Sequence, residues 1–183
     1  YYFNISLDKE LLFTPIINYG GGGDASQRFN FDYNQILSGG KFKADITFDS
    51  NFENQNNNDW FTDASLIANY EKNLNTNYRI KINSALQTSK NYIQITKPND
   101  DLSYTNSLKS DINLEGFNLN KIDDSLNINL NFYQTNQENE DNKTIPTVFP
   151  KIKYHSGYFN RFGNIDNSTY GFYNIFREKS SLV

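Results

Sequence analysis

The sequence lacks cysteine, contains one histidine and four prolines, and carries no long apolar run. Without cysteine, this stretch forms neither disulfides nor thiolate metal sites. The absence of any run of about 18 apolar residues excludes a transmembrane helix, and no signal peptide is visible. A net charge of −4 with no clustered basic face excludes a nucleic-acid partner.

Apolar residues make up only 37% of the chain, which would leave a soluble core thin, yet aromatic residues reach 16%. That aromatic content argues against disorder. The length of 183 residues allows one domain. The chain starts in a strand-like stretch, Tyr1–Ile5, and ends without a terminating signal. We therefore interpret residues 1–183 as a single segment of a longer protein.

Alternation with a period of two residues is clearest between Arg28 and Asp49. Aromatic and aliphatic residues alternate there with charged and amide residues on both sides of Ser38-Gly39-Gly40. This period places the apolar groups on one face of a strand and the polar groups on the other. Two such runs joined by a glycine turn predict an antiparallel hairpin with an apolar face and a face suited to water.

The same design recurs along the chain and predicts an all-β, antiparallel up-and-down meander of about ten strands. Its connections are short at Asp8, Ser38, Asn73 and Asn118, and long at Gly20, Asn51, Thr88 and Gln134. Transmembrane β-barrels sort their turns and loops in this way. A strand of about ten residues tilted by about 40° spans roughly the 25 Å apolar band of an outer membrane. The pattern therefore predicts part of a large transmembrane β-barrel.

Three local features sharpen this prediction. Pro15 lacks an N–H donor, so we expect a bulge or a ladder gap in its strand. The long connection from Thr88 to Ser107 has room for a short strand at Tyr92–Ile95, and no stretch has a helical period. Aromatic rings near strand ends suit water–lipid interfaces; they are Tyr19, Tyr33, Trp60, Tyr70, Tyr78, Phe117, Phe132 and Tyr154.

Candidates for enzymatic chemistry are weak, and we expect neither an enzyme nor a cofactor. The Gly20–Gly23 run precedes a strand rather than a helix and lacks a following Lys-Ser/Thr, so it fails as a phosphate loop. His155 has no second histidine or cysteine to complete a metal or catalytic site. Acidic pairs at Asp100-Asp101, Asp123-Asp124 and Glu138–Asp141 fall in turns, where solvated loops are the default, although the last could weakly contact a divalent cation.

A set of cations on the predicted polar face is the most informative group of candidate site residues. The set comprises Arg28, Lys41, Lys43, Arg79, Lys81, Lys151 and Lys153. These cations could guide a polyanionic substrate or contact a plug. The plainer interpretation is a wet barrel interior, because acidic residues share the same face.

Two sequence blocks resemble one known family. Asp8–Pro15 (DKELLFTP), Tyr19 with its glycines, and FDYNQILSGGKF resemble the opening strands of the LptD family of lipopolysaccharide-assembly outer-membrane proteins. Asp141-Asn142 followed by IPTVFPKIKY, with Pro146 and Pro150, resembles the same barrel further along. The resemblance runs over nearly the whole chain.

The resemblance implies a very large barrel in the cell outer membrane of a Gram-negative bacterium, attached to a periplasmic jelly-roll domain. It implies an LptE-type lipoprotein plug inside the barrel, a periplasmic lipopolysaccharide bridge, and insertion of lipopolysaccharide into the outer leaflet. The chain would run from the second to about the eleventh strand, with the Asp8 turn periplasmic. Two alternatives remain open: a porin or siderophore-receptor barrel that passes small solutes, and a soluble β-sandwich or adhesin binding module.

Overall fold

A computed structural model of the chain describes residues 1–19, 25–51, 63–119, 123–137, 139–156, 159–161, 164–166 and 168–176. Strands make up most of the described residues and the helices are few and short, so the fold is all-β. The strands are β1 (Tyr2–Ser6), β2 (Lys9–Tyr19), β3 (Ala25–Leu37), β4 (Gly40–Asn51), β5 (Asp63–Asn73), β6 (Tyr78–Gln87), β7 (Ser107–Phe117), β8 (Ser125–Thr135), β9 (Thr147–His155), β10 (Phe159–Arg161), β11 (Asn164–Asp166) and β12 (Thr169–Phe176).

Ten of these strands form one antiparallel sheet in chain order, from β1 through β9 to β12. This arrangement confirms the predicted up-and-down meander. The sheet is not closed, and β1 and β12 are its two edges. The remaining pair, β10 and β11, forms a separate two-stranded hairpin between β9 and β12, which the sequence pattern did not predict.

The connections lie at two ends of the sheet, which we call the short-turn end and the long-loop end. The short-turn end carries the β1–β2, β3–β4, β5–β6 and β7–β8 connections, and the long-loop end carries the β6–β7 connection, residues 88–106. The β3–β4 turn consists of Ser38 and Gly39, and Gly39 has a φ of 78° that glycine adopts without a Cβ penalty. The β9–β12 connection departs from the pattern, because it is long but lies at the short-turn end.

The register between strands places apolar residues opposite apolar residues across the sheet. Phe29 of β3 faces Phe48 of β4, and Phe31 faces Ile46. The ring centroids of Phe29 and Phe48 are 5.1 Å apart, and Phe13 of β2 extends the row at 4.8 Å from Phe31. Such cross-strand aromatic and aliphatic pairs stabilise a sheet by about 0.2–1 kcal/mol each. We call this side of the sheet the apolar face and the opposite side the polar face.

A bulge or a ladder gap was predicted at Pro15, and the bulge is wrong. The β2–β3 register runs through Pro15 and Phe29 without a shift. Phe13 exchanges both backbone hydrogen bonds with Tyr1, so Pro15, two residues further along, turns its missing N–H to the same side. The missing N–H would therefore face the β1 side, and the β2–β3 ladder continues past Pro15 without interruption.

An irregularity instead occurs in β9, where the β8–β9 register shifts between Asn129 and Asn131. Lys151 pairs with Asn129 and Val148 pairs with Asn131, so Phe149 and Pro150 together oppose one residue of β8. The extra residue moves Val148 to the polar face, although alternation alone had placed it with the apolar residues.

The β6–β7 connection contains a helix, α1 (Tyr92–Thr96), where a short strand was predicted; that prediction is wrong. A 3-10 helical turn follows at Asp101–Tyr104, and another lies at Asn142–Thr144. None of the helices in the described ranges has the length and apolar character needed to cross a bilayer.

The sheet has very little hydrophobic core of its own. Among the described residues the buried apolar ones are Ala85, Tyr92, Ile93 and Leu108, all gathered around α1. Total exposed area is 12546 Å², whereas a folded monomer of 21.2 kDa exposes about 9,100 Å². This excess agrees with a single extended layer, and no second large sheet packs on the apolar face in the described ranges.

Candidate functional site

The candidate site is the polar face, which collects almost every charged side chain of the described strands. The register places each of the seven predicted cations there: Arg28, Lys41, Lys43, Arg79, Lys81, Lys151 and Lys153. Among the cations of the described sheet strands, only Lys9 and Lys72 fall on the apolar side, each next to a turn. The seven residues thus share one face of the sheet, and their orientation toward a lumen stays a prediction.

Arg28 occupies the long-loop end of this face and is paired with Asp49 of the neighbouring strand. Its Nε donates to Asp49 Oδ1 at 2.7 Å and its Nη2 donates to Oδ2 at 2.9 Å. This bidentate geometry is among the stronger ion-pair arrangements because two charge-assisted hydrogen bonds hold one orientation. Arg28 therefore links β3 to β4, and Asp49 neutralises much of its charge.

A network of charges crosses the short-turn half of the polar face from β4 to β7. Glu71 lies 3.6 Å from Lys41 and 3.8 Å from Arg79, and Glu115 lies 3.9 Å from Arg79 and 3.0 Å from Lys81. Two carboxylates thus balance three cations. Because the members are partly exposed, each pair contributes little stability alone, and the network mainly lowers the net charge of this region.

The β6–β7 connection folds back onto the polar face and covers part of β3–β5. Arg28 lies over the ring of Tyr92, with its Cζ 6.0 Å from the ring centroid. Lys97 forms an ion pair with Asp45 of β4. Ile93, which is fully buried, donates its backbone N–H to the Gln87 side chain at 3.0 Å. Burial under this cover raises the pKa of Tyr92, so its hydroxyl remains neutral on this surface.

This cover explains why Leu108 lies inside the small core although alternation had assigned it to the apolar row. The β6–β7 ladder ends at Asn83 and Asp111, and Ser110 Oγ then accepts from the Ala85 backbone N–H at 3.0 Å. The strands separate beyond that point, and Leu108 packs with Ala85 and Ile93. Nothing in the alternation signals where a ladder stops, so the sequence could not place this residue.

The remaining cations of the set differ in their environment. Lys43 faces Asn34 and Asn69 across the strands, and Lys151 and Lys153 of β9 face Asn129 and Asn127. None of these three lysines forms an ion pair with a carboxylate in the described ranges. The two lysines of β9 line a groove of about 530 Å³ that runs along the polar faces of β8 and β9.

No family model matches the chain, and no curated protein or solved structure matches it significantly. The resemblance to the LptD family rests on its sequence blocks and stays a prediction. In the fold, the first block covers the β1–β2 turn and most of β2, and the second leads into the bulge of β9.

The other predicted candidates for chemistry have structural partners or lie outside the described ranges. His155 Nδ1 is 3.1 Å from Thr169 Oγ1 on β12. Asp100 and Asp141 accept backbone N–H bonds within their own turns, and buried Asp124 accepts from Leu119 N. Within the described residues, no three acidic or histidine side chains gather to hold a metal ion. The glycine run at 20–23 and Glu138 lie outside those residues.

The predicted interfacial aromatics divide by location. Tyr33, Tyr70, Tyr78 and Tyr154 lie on the apolar face toward the short-turn end. Phe42 joins this row, with its ring 5.9 Å from Tyr33 and 6.5 Å from Tyr70. Tyr19 ends β2 at the opposite end of the sheet; its side chain, and all of Trp60, lie outside the described part of the chain.

Phe117 was predicted among the interfacial aromatics, but its ring belongs to the polar face. Arg79 Cζ lies 5.8 Å from its ring centroid, and Arg79 shares that face with Glu115. By contrast, Phe132 lies on the apolar face and contacts Phe149 at 5.9 Å between centroids. Phe117 is the last residue of β7, where a cation–π contact competes with placement on the apolar face.

Proposed function

We propose that the chain is a wall segment of an outer-membrane β-barrel that inserts lipopolysaccharide into the outer leaflet. The observation that carries the membrane part of the proposal is the uncovered apolar face. Ile46, Leu86, Phe132 and Phe149 are each at least 40% exposed, and no second sheet packs on them among the described residues. A surface of this extent exposed to water would aggregate, whereas lipid chains would solvate it.

The distribution of charge supports the same placement. In the described sheet strands, the charged side chains on the apolar face are Lys9 and Lys72, and both adjoin the short-turn end. The part of this face between the turns therefore carries no ionised side chain in those strands. The row of tyrosines lies at that end, where amphipathic rings suit a water–lipid boundary. An 11-residue strand such as β7 or β8 extends for about 36 Å, enough to span an apolar band of about 25 Å when tilted.

The lipopolysaccharide part of the proposal comes from the resemblance to the LptD family. In that setting the polar face lines a wide, hydrated lumen that accommodates a lipoprotein plug and the sugars of lipopolysaccharide. The other partners would be outer-membrane lipid and, through another part of the protein, a periplasmic lipopolysaccharide bridge. The unpaired lysines of β9 are compatible with a polyanionic cargo.

Of the two alternatives, only the soluble module differs from the proposal in its fold. A soluble β-sandwich would bury the apolar rows between two layers, which disagrees with the single ten-stranded sheet. A porin or siderophore receptor shares the architecture proposed here, so only function distinguishes it from a lipopolysaccharide translocon.

The membrane part is tested by purification in and out of detergent and by gel migration with and without boiling. We expect a requirement for detergent and heat-modifiable migration; a monodisperse protein without detergent would contradict it. The transport part is tested by depleting the protein in its own cell and labelling surface lipopolysaccharide. We expect loss of surface lipopolysaccharide and co-purification of a small lipoprotein, whereas unchanged lipopolysaccharide with impaired solute uptake would favour the porin alternative.

A further inference from the structure

The strongest unassigned feature of the polar face is the groove along β8 and β9. Its floor is a ladder of side-chain amides from Asn127, Asn129 and Asn131, and Lys151 and Lys153 border it. Tyr133 of β8 also lines it. Its volume of about 530 Å³ falls within the range of small-molecule sites, about 300–1,000 Å³.

The strands around the groove carry positive charge without a carboxylate of their own to balance it. Strands β8, β9 and β12 contain no aspartate or glutamate, whereas every pair of the β4–β7 network includes a carboxylate. Lys109 also lines the groove but pairs with Asp111 at 3.4 Å. Two exposed lysines of β9 therefore provide the local excess charge.

Those two lysines are spaced so that one anion can serve both. Lys151 and Lys153 are two residues apart on one strand and project to the same face, which places their Cβ atoms about 7 Å apart. Side chains attached at that spacing allow both ammonium groups to approach one anionic group, which offsets their mutual repulsion. Phosphate or carboxylate oxygens are the groups that ammonium donors bind best.

The amide ladder adds a requirement for hydroxyl groups. Each asparagine offers two donors and an acceptor, and three of them follow one another at every second position of β8. A row of side-chain amides suits a ligand rich in hydroxyl groups, because each hydroxyl both donates and accepts a hydrogen bond.

We propose that this groove binds an acidic oligosaccharide, with the lysines contacting its carboxylate or phosphate and the amides contacting its hydroxyls. The combination of amide ladder, unpaired lysines and Tyr133 matches a ligand that is both hydroxyl-rich and anionic. A neutral sugar would leave the lysines unsatisfied, and a simple inorganic anion would leave the amides unused. The inference rests on the proposed function, because a hydrated lumen is what brings sugars to this face.

The test measures binding of trigalacturonate to the full chain in detergent, with maltotriose, inorganic phosphate and hexaglutamate as comparison ligands. We expect trigalacturonate to bind at least tenfold more tightly than each of the other three. The variant Lys151→Gln/Lys153→Gln should weaken trigalacturonate binding at least tenfold, and Asn129→Leu should weaken both sugars while leaving phosphate unchanged.

The matched control is Lys41→Gln/Lys43→Gln, which removes the same charge from the same face away from the groove. Binding within twofold of the unmodified chain is expected for this control. Equal losses in both double variants, absence of trigalacturonate binding, or equal binding of hexaglutamate that is insensitive to Asn129→Leu would each overturn the proposal. A chain that binds the sugar but needs no detergent would leave the groove intact and remove the proposed function instead.

Discussion

Asp32 of β3 lies directly opposite Asp45 of β4 on the polar face, and Lys97 from the β6–β7 connection pairs with Asp45. Like charges opposite each other destabilise an antiparallel pair. A cation delivered from outside the strands offsets that repulsion and simultaneously attaches the connection to the sheet. The position of α1 over β3–β5 therefore depends on an unfavourable pair that the strands alone do not neutralise.

Replacing Lys97 with glutamine should loosen the β6–β7 connection. The variant removes the partner of Asp45 and exposes the Asp32–Asp45 repulsion, and a hydrogen bond to a charged group contributes about 1.5–3 kcal/mol. We expect amide hydrogen exchange within Tyr92–Thr96 to accelerate by about tenfold or more, since about 1.4 kcal/mol corresponds to a factor of ten. Exchange followed by mass spectrometry on the β6–β7 peptide measures this directly.

Two further variants test the cause of that loosening. Asp45→Asn removes both the ion pair with Lys97 and the repulsion from Asp32. It should therefore accelerate exchange less than Lys97→Gln does. Lys72→Gln removes a lysine near a turn on the opposite face and should leave the connection unchanged. Equal effects of Asp45→Asn and Lys97→Gln would show that repulsion from Asp32 plays no part.

A lysine introduced in the middle of the apolar face should destabilise the protein in lipid. Ile112 of β7 faces Ile82 and Leu130 there, and a lysine at the bilayer midplane costs about 2–4 kcal/mol. We expect the free energy of unfolding of Ile112→Lys in vesicles, measured by denaturant titration, to fall by that amount.

The control for that variant is Asn83→Lys, which adds the same side chain on the polar face, near Asp111. Its unfolding free energy should change by less than about 1 kcal/mol, as for an exposed ion pair. Equal destabilisation by the two variants would argue against a lipid-facing surface.

The stability of the turn between β1 and β2 should depend on pH. Ser6 Oγ donates to Asp8 Oδ1 at 2.6 Å, and this hydrogen bond lowers the pKa of Asp8. Because this pKa is lowered, the ionised Asp8 stabilises the folded turn at pH values above the ordinary pKa of the carboxyl group. That stabilisation is lost as the pH falls through the lowered pKa. In Ser6→Ala the pKa of Asp8, followed by NMR of the carboxyl carbon, should rise; no change would exclude Ser6 as the cause.

Alternation of residue types was sufficient to predict most of the fold. It placed Arg28 and Lys81 on one face and Phe31 and Ile112 on the other, because the side-chain period of a strand is two and does not depend on tertiary context. The short and long connections were also visible, since turn residues such as Ser38 and Gly39 interrupt the pattern.

What alternation could not supply is any feature that depends on where pairing stops or slips. Val148 changes face because β9 gains a residue relative to β8, and Leu108 turns inward because β6 and β7 separate. Tyr92–Thr96 carries strand-forming residues but is helical, held in part by the bond from Ile93 to Gln87. The Lys97–Asp45 pair joins residues far apart in sequence, so no local sequence pattern predicts it.

Gly40 is needed because β5 lies directly against its α-carbon. A Cβ atom at this position would lie 2.1 Å from Glu71 O and 2.8 Å from Lys72 Cα, which are backbone atoms of the neighbouring strand. These backbone atoms are also paired with β6, so they cannot rotate away as a side chain can. We therefore expect Gly40→Ala to lower the unfolding free energy by about 1–3 kcal/mol through overpacking, measured by denaturant titration in detergent.

Gly171 of β12 provides the matched control, since the nearest atom to an added Cβ is Ile152 O at 4.0 Å. Gly171→Ala should leave stability unchanged or raise it slightly, because alanine reduces the conformational freedom of the unfolded chain without a clash. Comparable losses at both glycines would mean that flexibility, rather than contact with β5, is what Gly40 provides. A loss confined to Gly40→Ala would instead establish that the close approach of β5 to the β3–β4 turn sets the position of the following strands.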